Sequence, residues 1–312
     1  MMIRHFIFFL SLGILTSCYR VPDQIAPHVD LCIQQEHLHQ LTNAFPPLSP
    51  TEQHEEWGRE WTIGRAFAHQ LDLYRAITAF KRAEILISCE HVRRREIEYE
   101  ILLCYFFGKK YNDVIDTFEH SGLCHVDKSF RPYRDLLLIL YECYGETENF
   151  ERRSRIIELM DQSFPETAHQ LLLSEALREG NLDQLDCFSQ DDPDVSQLLT
   201  NYYSQRKSIG KAQFFNALIP GAGYLYLGQR QSAMTAFLLN GLFIAAAWQF
   251  FSHDHLAAGI ITTVFESGWY FGGIYGAGEE TKYYNEHIYE KDASILLNQR
   301  KLFPTLMLQY DF

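Results

Sequence analysis

The sequence predicts an all-α chain, a solenoid of helical hairpins followed by an apolar helical hairpin, and three observations predict it. Over residues 57–190 apolar and small residues recur at spacings of three and four, while Gly and Pro nearly vanish. Within that block Leu73, Tyr111 and Phe150 occupy corresponding points, 38 and 39 residues apart. Beyond it, residues 233–251 and 256–278 form two apolar runs, each long enough to cross a hydrocarbon core of about 30 Å.

The chain starts with Arg4, an apolar run over residues 6–15 and then Leu15-Thr16-Ser17-Cys18. A basic start, a short apolar stretch and small residues at its end make a secretory signal, and ten apolar residues are too few for a comfortable spanning helix. The four residues ending at Cys18 resemble the bacterial lipobox. That resemblance implies acylation of Cys18 as the first residue of the mature chain and residence in the cell envelope, inner or outer membrane undecided. Residues 18–56, with Pro22, Pro27, Pro46, Pro47 and Pro50, read as a tether. Export permits disulfides for the remaining six cysteines, but Cys89, Cys104 and Cys143 fall at helical apolar positions and are expected as buried thiols. No Cys-x-x-Cys occurs among them, so a zinc ribbon or redox motif is unsupported.

In the first helical pair Gly64, Phe67, Ala76, Phe80 and Ala83 carry the spacing of a helix–turn–helix repeat. Gly64 and Ala76 let two backbones approach, Phe80 fills the groove between them and Ala83 admits the next unit. These residues resemble a tetratricopeptide repeat. A second unit turns at residues 108–111, a third at 145–150, and a shorter fourth at Gly180-Asn181 is expected to cap the array. The resemblance implies a groove that binds protein partners. Residues 191–212 are expected as a linker helix, residues 213–284 as a membrane-associated hairpin and residues 285–312 as a tail.

The hairpin region opens on Pro220-Gly221-Ala222-Gly223-Tyr224-Leu225-Tyr226-Leu227-Gly228. This stretch, followed by two apolar helices, resembles the two-helix membrane modules called TM2-like domains, over residues 216–278. The resemblance implies membrane residence and no defined activity. Gly268, Gly272 and Gly276 recur every four residues and are expected to bring helices into close contact. Glu266 costs about 2.5 to 3.5 kcal/mol at a helix centre, against about 2 to 4 kcal/mol returned by the apolar residues around it. The second helix is therefore expected to insert with its partner, Asn240 standing level with Glu266, both side chains pointing inward and within direct or one-water reach of each other. Lys207, Lys211, Arg230 and Lys282 flank the hairpin while its loop has no Lys or Arg, so the positive-inside rule conflicts with export of the flanks. The export signal, complete in all three parts, takes precedence. The alternative is a hydrophobic hairpin buried against other protein.

Several chemistries are disfavoured. A net charge of −13, with Arg93-Arg94-Arg95 as the only basic run of three and read as a solvated helix face, argues against nucleic acid. His54-Glu55-Glu56-Trp57-Gly58 lacks the second His of a zinc-protease helix, and Ser267 lacks the flanking glycine pattern of a nucleophile elbow. Gly221, Gly223 and Gly228 have the wrong spacing for a dinucleotide fingerprint, and Gln229 stands where a phosphate loop requires Lys. His253-Asp254-His255 reads as a solvated turn. No catalytic residue, metal or cofactor is expected. The sequence thus points to a noncatalytic, membrane-anchored scaffold of the cell envelope, binding proteins through its helical repeats, with self-association open to it. The alternative from another class is a membrane enzyme or transporter subunit built on Glu266.

Overall fold

A computed structural model describes residues 21–29 and 41–312; the signal, Cys18 and Cys32 lie outside the described residues. The chain forms two compact bodies. Among the described residues one comprises 41–177 and 296–312, the other 21–29 and 178–295. The regular secondary structure of the described residues is helical apart from two strands of two residues each.

The first body begins with β1 (Thr42–Asn43) and a short helix α1 (Pro50–His54), closed at its start by a capping box between Ser49 and Glu52. Three pairs follow: α2 (Glu56–His69) with α3 (Leu73–Leu86), α4 (Arg94–Phe107) with α5 (Tyr111–Glu119), and α6 (Tyr133–Glu146) with α7 (Phe150–Ser163). One turn geometry recurs in all three. The N–H of Asp72, Lys110 and Asn149 donates to the carbonyl five residues earlier, on Phe67, Tyr105 and Tyr144, at 3.0, 2.9 and 2.8 Å. The residue before each donor, Leu71, Lys109 and Glu148, has a left-handed backbone. This is the bond pattern of a Schellman ending, and it makes Leu73, Tyr111 and Phe150 the first residues of their helices. The structure is thus repeat-like at the points the sequence marks. Gly180, also left-handed, stands before Asn181 in the turn between α8 (Pro165–Glu179) and α9 (Leu182–Phe188).

Arg93 departs from the solvated face expected of the basic run. It lies against the carboxylates of Glu52 at 3.1 Å and Glu96 at 2.8 Å and donates to the carbonyls of Pro46 and Pro47, tying residues 46–52 to the start of α4.

The second body contains α9, α10 (Pro193–Gln205), α11 (Ile209–Leu218), α12 (Ala222–Tyr226), α13 (Arg230–Ser252) and most of α14 (Leu256–Gln299). α14 is 44 residues long and continues well past Gly278, the expected end of the apolar run. Residues 285–299 are therefore helix, not tail: beyond Gly278 the helix turns amphipathic and stays folded because Tyr289, Ala293 and Leu297 are fully buried. The chain then ends in the first body, with a one-turn helix α15 (Pro304–Met307) and β2 (Tyr310–Asp311), which pairs in parallel with β1.

Candidate functional site

The glycines of the 220–228 stretch have separate duties. Gly221 sits at φ +92°, and a Cβ there would stand 2.2 Å from the Ala233 carbonyl oxygen, so only glycine fits. A Cβ on Gly223 would stand 2.4 Å from the Ala212 carbonyl oxygen and 2.8 Å from the Ala277 Cβ, which places the turn hard against α11 and α14. The side-chain oxygen of Asn216, itself buried, accepts from the N–H groups of Gly221 at 2.9 Å and Gly223 at 3.3 Å. Pro220 breaks the chain between α11 and this turn, and Gly228 adopts a left-handed backbone before α13. Around the same base, Lys207 N–H donates to Asn285 Oδ1 at 2.8 Å and Asn285 Nδ2 returns a bond to the Lys207 carbonyl at 2.9 Å. Lys207 Nζ donates to the Tyr226 carbonyl at 2.7 Å. The charge read as a flank marker is thus held in place by α12 and α14.

Above this base α13 and α14 each turn one narrow stripe inward. On α13 it runs through Ala233, Ala236, Asn240 and Phe243, and on α14 through Gly259, Thr262, Glu266, Tyr270, Gly273 and Ala277. The spacing of three and four is that of one helix face. Around it Phe237, Leu238, Leu242, Ile244, Trp248, Ile260, Ile261, Val264, Phe265 and Trp269 are exposed. α13 is the one described helix long and apolar enough by length and composition to cross a membrane, and little of it is buried.

Asn240 and Glu266 both point inward, at 3% and 9% exposure, and no direct hydrogen bond joins them. The Asn240 amide donates instead to the Ala236 carbonyl of its own helix at 2.6 Å, a bond a helix offers one turn back without any partner helix. Asn240 Oδ1 and both Glu266 oxygens have no hydrogen bond. The glycine stripe also departs from expectation. Gly241, Gly268 and Gly272 are exposed, and a Cβ on any of them would meet nothing within 4 Å. Ala277 docked on Gly223 fixes the rotation of α14, and at about 100° per residue Gly272 falls well off that face while Glu266, three turns away, stays on it. Gly276 alone of the three touches a neighbour, the Tyr224 hydroxyl. Gly268 and Gly272 line an open groove of about 880 Å³ with Pro220, Asn240, Trp269 and Glu280.

In the first body Gly64 performs as read: a Cβ there would lie 2.6 Å from the Phe80 ring, and Ala76, Phe80 and Ala83 are fully buried. Phe67 is only half-buried, its ring covered by the Arg75 guanidinium at 5.6 Å. The first helices of the pairs, α2, α4 and α6, carry a row of polar groups that meet the last residues of the chain. Arg65 donates to the Phe312 carbonyl at 2.8 Å, and Arg134 to the Met307 carbonyl at 2.9 Å. Asp135, fully buried and held by Arg134 at 2.8 Å, accepts from the N–H groups of Gln309 at 2.8 Å and Tyr310 at 3.0 Å. Phe312 is 1% exposed, its ring 5.6 Å from that of Phe107. Beside it Glu100 is buried with neither oxygen hydrogen-bonded, 3.8 Å from Arg65. Burial pushes its carboxyl up to about 8 against the pull of Arg65, and Glu96 and Asp311 add to the rise.

Cys104 and Cys143 are buried free thiols, but Cys89 lies beyond the end of α3 and is exposed. His253, Asp254 and His255 are exposed in the turn between α13 and α14, with the left-handed backbone at Asp254. Among the described residues no group of three His, Cys, Asp or Glu is placed to hold a metal ion. Cys18 lies outside the described residues. Sequence reasoning missed Asn216 as the clamp of the turn, and missed the whole polar row of Arg65, Arg134 and Asp135. No protein-family model, curated protein or solved structure matches the chain.

Proposed function

We propose that the chain is a noncatalytic scaffold of the bacterial cell envelope, fixed to a membrane by α13, the apolar half of α14 and an acylated Cys18, with tetratricopeptide-like pairs that bind protein partners. The observation that carries the membrane reading is the broad belt of exposed aromatic and aliphatic side chains around α13 and residues 256–275, with Asn240 and Glu266 turned away from it. Water offers such a belt no stable home, whereas a bilayer does, and lipid requires polar groups to face inward. The alternative, a hydrophobic hairpin buried against other protein, would use the same exposed belt as its contact face.

The chain that follows the expected lipid anchor packs against the base of this hairpin. Val21 is buried, and a Cβ on Gly278 would stand 3.0 Å from its side chain and 2.6 Å from that of Gln213.

Labelled fatty acid fed to cells making the protein tests the lipid anchor. Incorporation into the wild type and not into a Cys18→Ser chain is expected, and equal labelling would sink this part of the reading. Affinity capture from detergent-solubilised envelopes tests the scaffold. A membrane enzyme or transporter subunit is favoured by one observation, the buried and unbonded Glu266 carboxyl. A Glu266→Gln chain that retains full biological activity would remove that alternative.

A further inference from the structure

The polar groups on α2 and α6 address the main chain of residues 307–312 far more than their side chains. Arg134 takes a carbonyl, Asp135 takes two successive N–H groups and Arg65 takes another carbonyl, four backbone atoms in six residues. β1 adds a parallel strand pairing at Tyr310 and Asp311. Its side chains serve as anchors: Leu308 and Phe312 are buried at 3% and 1% exposure, Met307 and Asp311 are buried beside them, and the Arg131 guanidinium covers the Tyr310 ring at 5.4 Å. Bonding to the main chain with a pocket at each end is how proteins receive an extended peptide, with affinity from the backbone and selectivity from the anchors.

The seat belongs to the helices and not to the segment. Arg134 and Asp135 are held by each other, and Arg134 Nε donates to Thr167 on α8 at 3.1 Å, so the clamp is positioned whether or not a strand lies in it. Glu100 is buried 3.8 Å from Arg65, and Asp311 of the segment adds to the rise that burial gives its carboxyl.

We propose that this surface is a peptide-binding groove whose resident ligand is the chain's own residues 302–312, and that a partner enters by displacing them. The partner is an extended segment with an aliphatic side chain at the Leu308 seat and an aromatic one, four residues later, at the Phe312 seat. Displacement takes free energy because the resident segment is tethered, and a tether of this kind holds its ligand at an effective concentration on the order of mM. The groove is therefore closed to weak partners and open to tight or membrane-concentrated ones. The inference deepens the scaffold reading and rests on it for biological meaning, but its test needs no natural partner.

The test uses the full chain in detergent and a fluorescent synthetic peptide of residues 302–312. A Phe312→Ala chain loses the resident anchor, and the labelled peptide is expected to bind it at least about tenfold more tightly than it binds the wild type, where a mostly occupied groove taxes the apparent affinity. In the wild type, which raises no question of folding, excess peptide is expected to speed amide exchange at Gln309 and Tyr310. Absence of binding to the Phe312→Ala chain, with its circular dichroism unchanged, would overturn the proposal. So would unchanged exchange at those two amides under saturating peptide, since residues 302–312 would then be a fixed part of the core. Failure to capture an envelope partner, with the peptide binding as expected, counts against the scaffold reading and leaves the groove standing.

Discussion

Asp135 Oδ2 accepts the backbone N–H of Tyr310 at 3.0 Å across 175 positions of sequence. The same oxygen takes Gln309 N–H, so one buried carboxylate fixes the end of the chain to the middle of the helical pairs. An Asp135→Ala chain leaves two backbone donors and the Arg134 guanidinium without their acceptor in a buried site. The expected loss in urea denaturation is about 3 kcal/mol, the range for breaking one side of a buried charged pair. Asp135→Asn, which keeps one acceptor oxygen, is expected to lose less. Equal stability of all three chains would show that the clamp contributes nothing.

Glu100 predicts a direction of pH dependence. In the folded chain its carboxyl titrates at about 8, against 4.5 as the ordinary value. The folded state thus holds a proton that the unfolded chain releases, and the stability this confers is complete below 4.5 and declines as pH rises toward 8. The slope is about 1.4 kcal/mol per pH unit over that window. Glu52, held down to about 2 by the Ser49 backbone N–H and then by Arg93, acts in the opposite sense and loses its contribution only in acid. Denaturation midpoints are expected to fall between about pH 5 and about pH 8, and a Glu100→Gln chain is expected to flatten that fall. An unchanged slope in the Gln variant would assign the effect elsewhere.

Gly221 and Gly268 should respond oppositely to alanine. Gly221 combines φ +92° with a carbonyl 2.2 Å from the new Cβ, whereas a Cβ on Gly268 meets nothing within 4 Å. Gly221→Ala is expected to lower the melting temperature in detergent markedly, by way of a shifted α13 start. Gly268→Ala is expected to leave it unchanged or slightly raised, since alanine holds a helix better than glycine by about 0.5–1 kcal/mol. A destabilised Gly268→Ala chain would restore the glycine stripe as a packing surface.

What the sequence made legible is what depends on neighbours along the chain. Leu73, Tyr111 and Phe150 begin their helices because each turn is a local pattern of cap and left-handed residue, repeated at nearly constant spacing. The Gly64–Phe80 contact was readable for the same reason, both residues lying within one pair. The inward turn of Glu266 could be read, but not its lack of a partner, because the Asn240 amide had a backbone acceptor on its own helix. Two-residue strands have no periodicity to detect, and β1 and β2 find each other from opposite ends of the chain. The run to Gln299 was hidden because the loss of apolar character after Gly278 reads like a helix end, although Tyr289 and Leu297 still supply a buried face. Asn216 gave no sign beyond standing five residues before Gly221.

The central claim is that the α13–α14 hairpin holds the chain in a membrane independently of the lipid on Cys18. Alkaline carbonate extraction of envelopes from cells making the Cys18→Ser chain tests it most directly, because carbonate strips peripheral proteins and leaves spanning helices. The account predicts that the Cys18→Ser chain stays in the membrane pellet and takes up no labelled fatty acid. Release of that chain into the soluble fraction would contradict it, and the exposed apolar belt would then have to be a docking face for another protein.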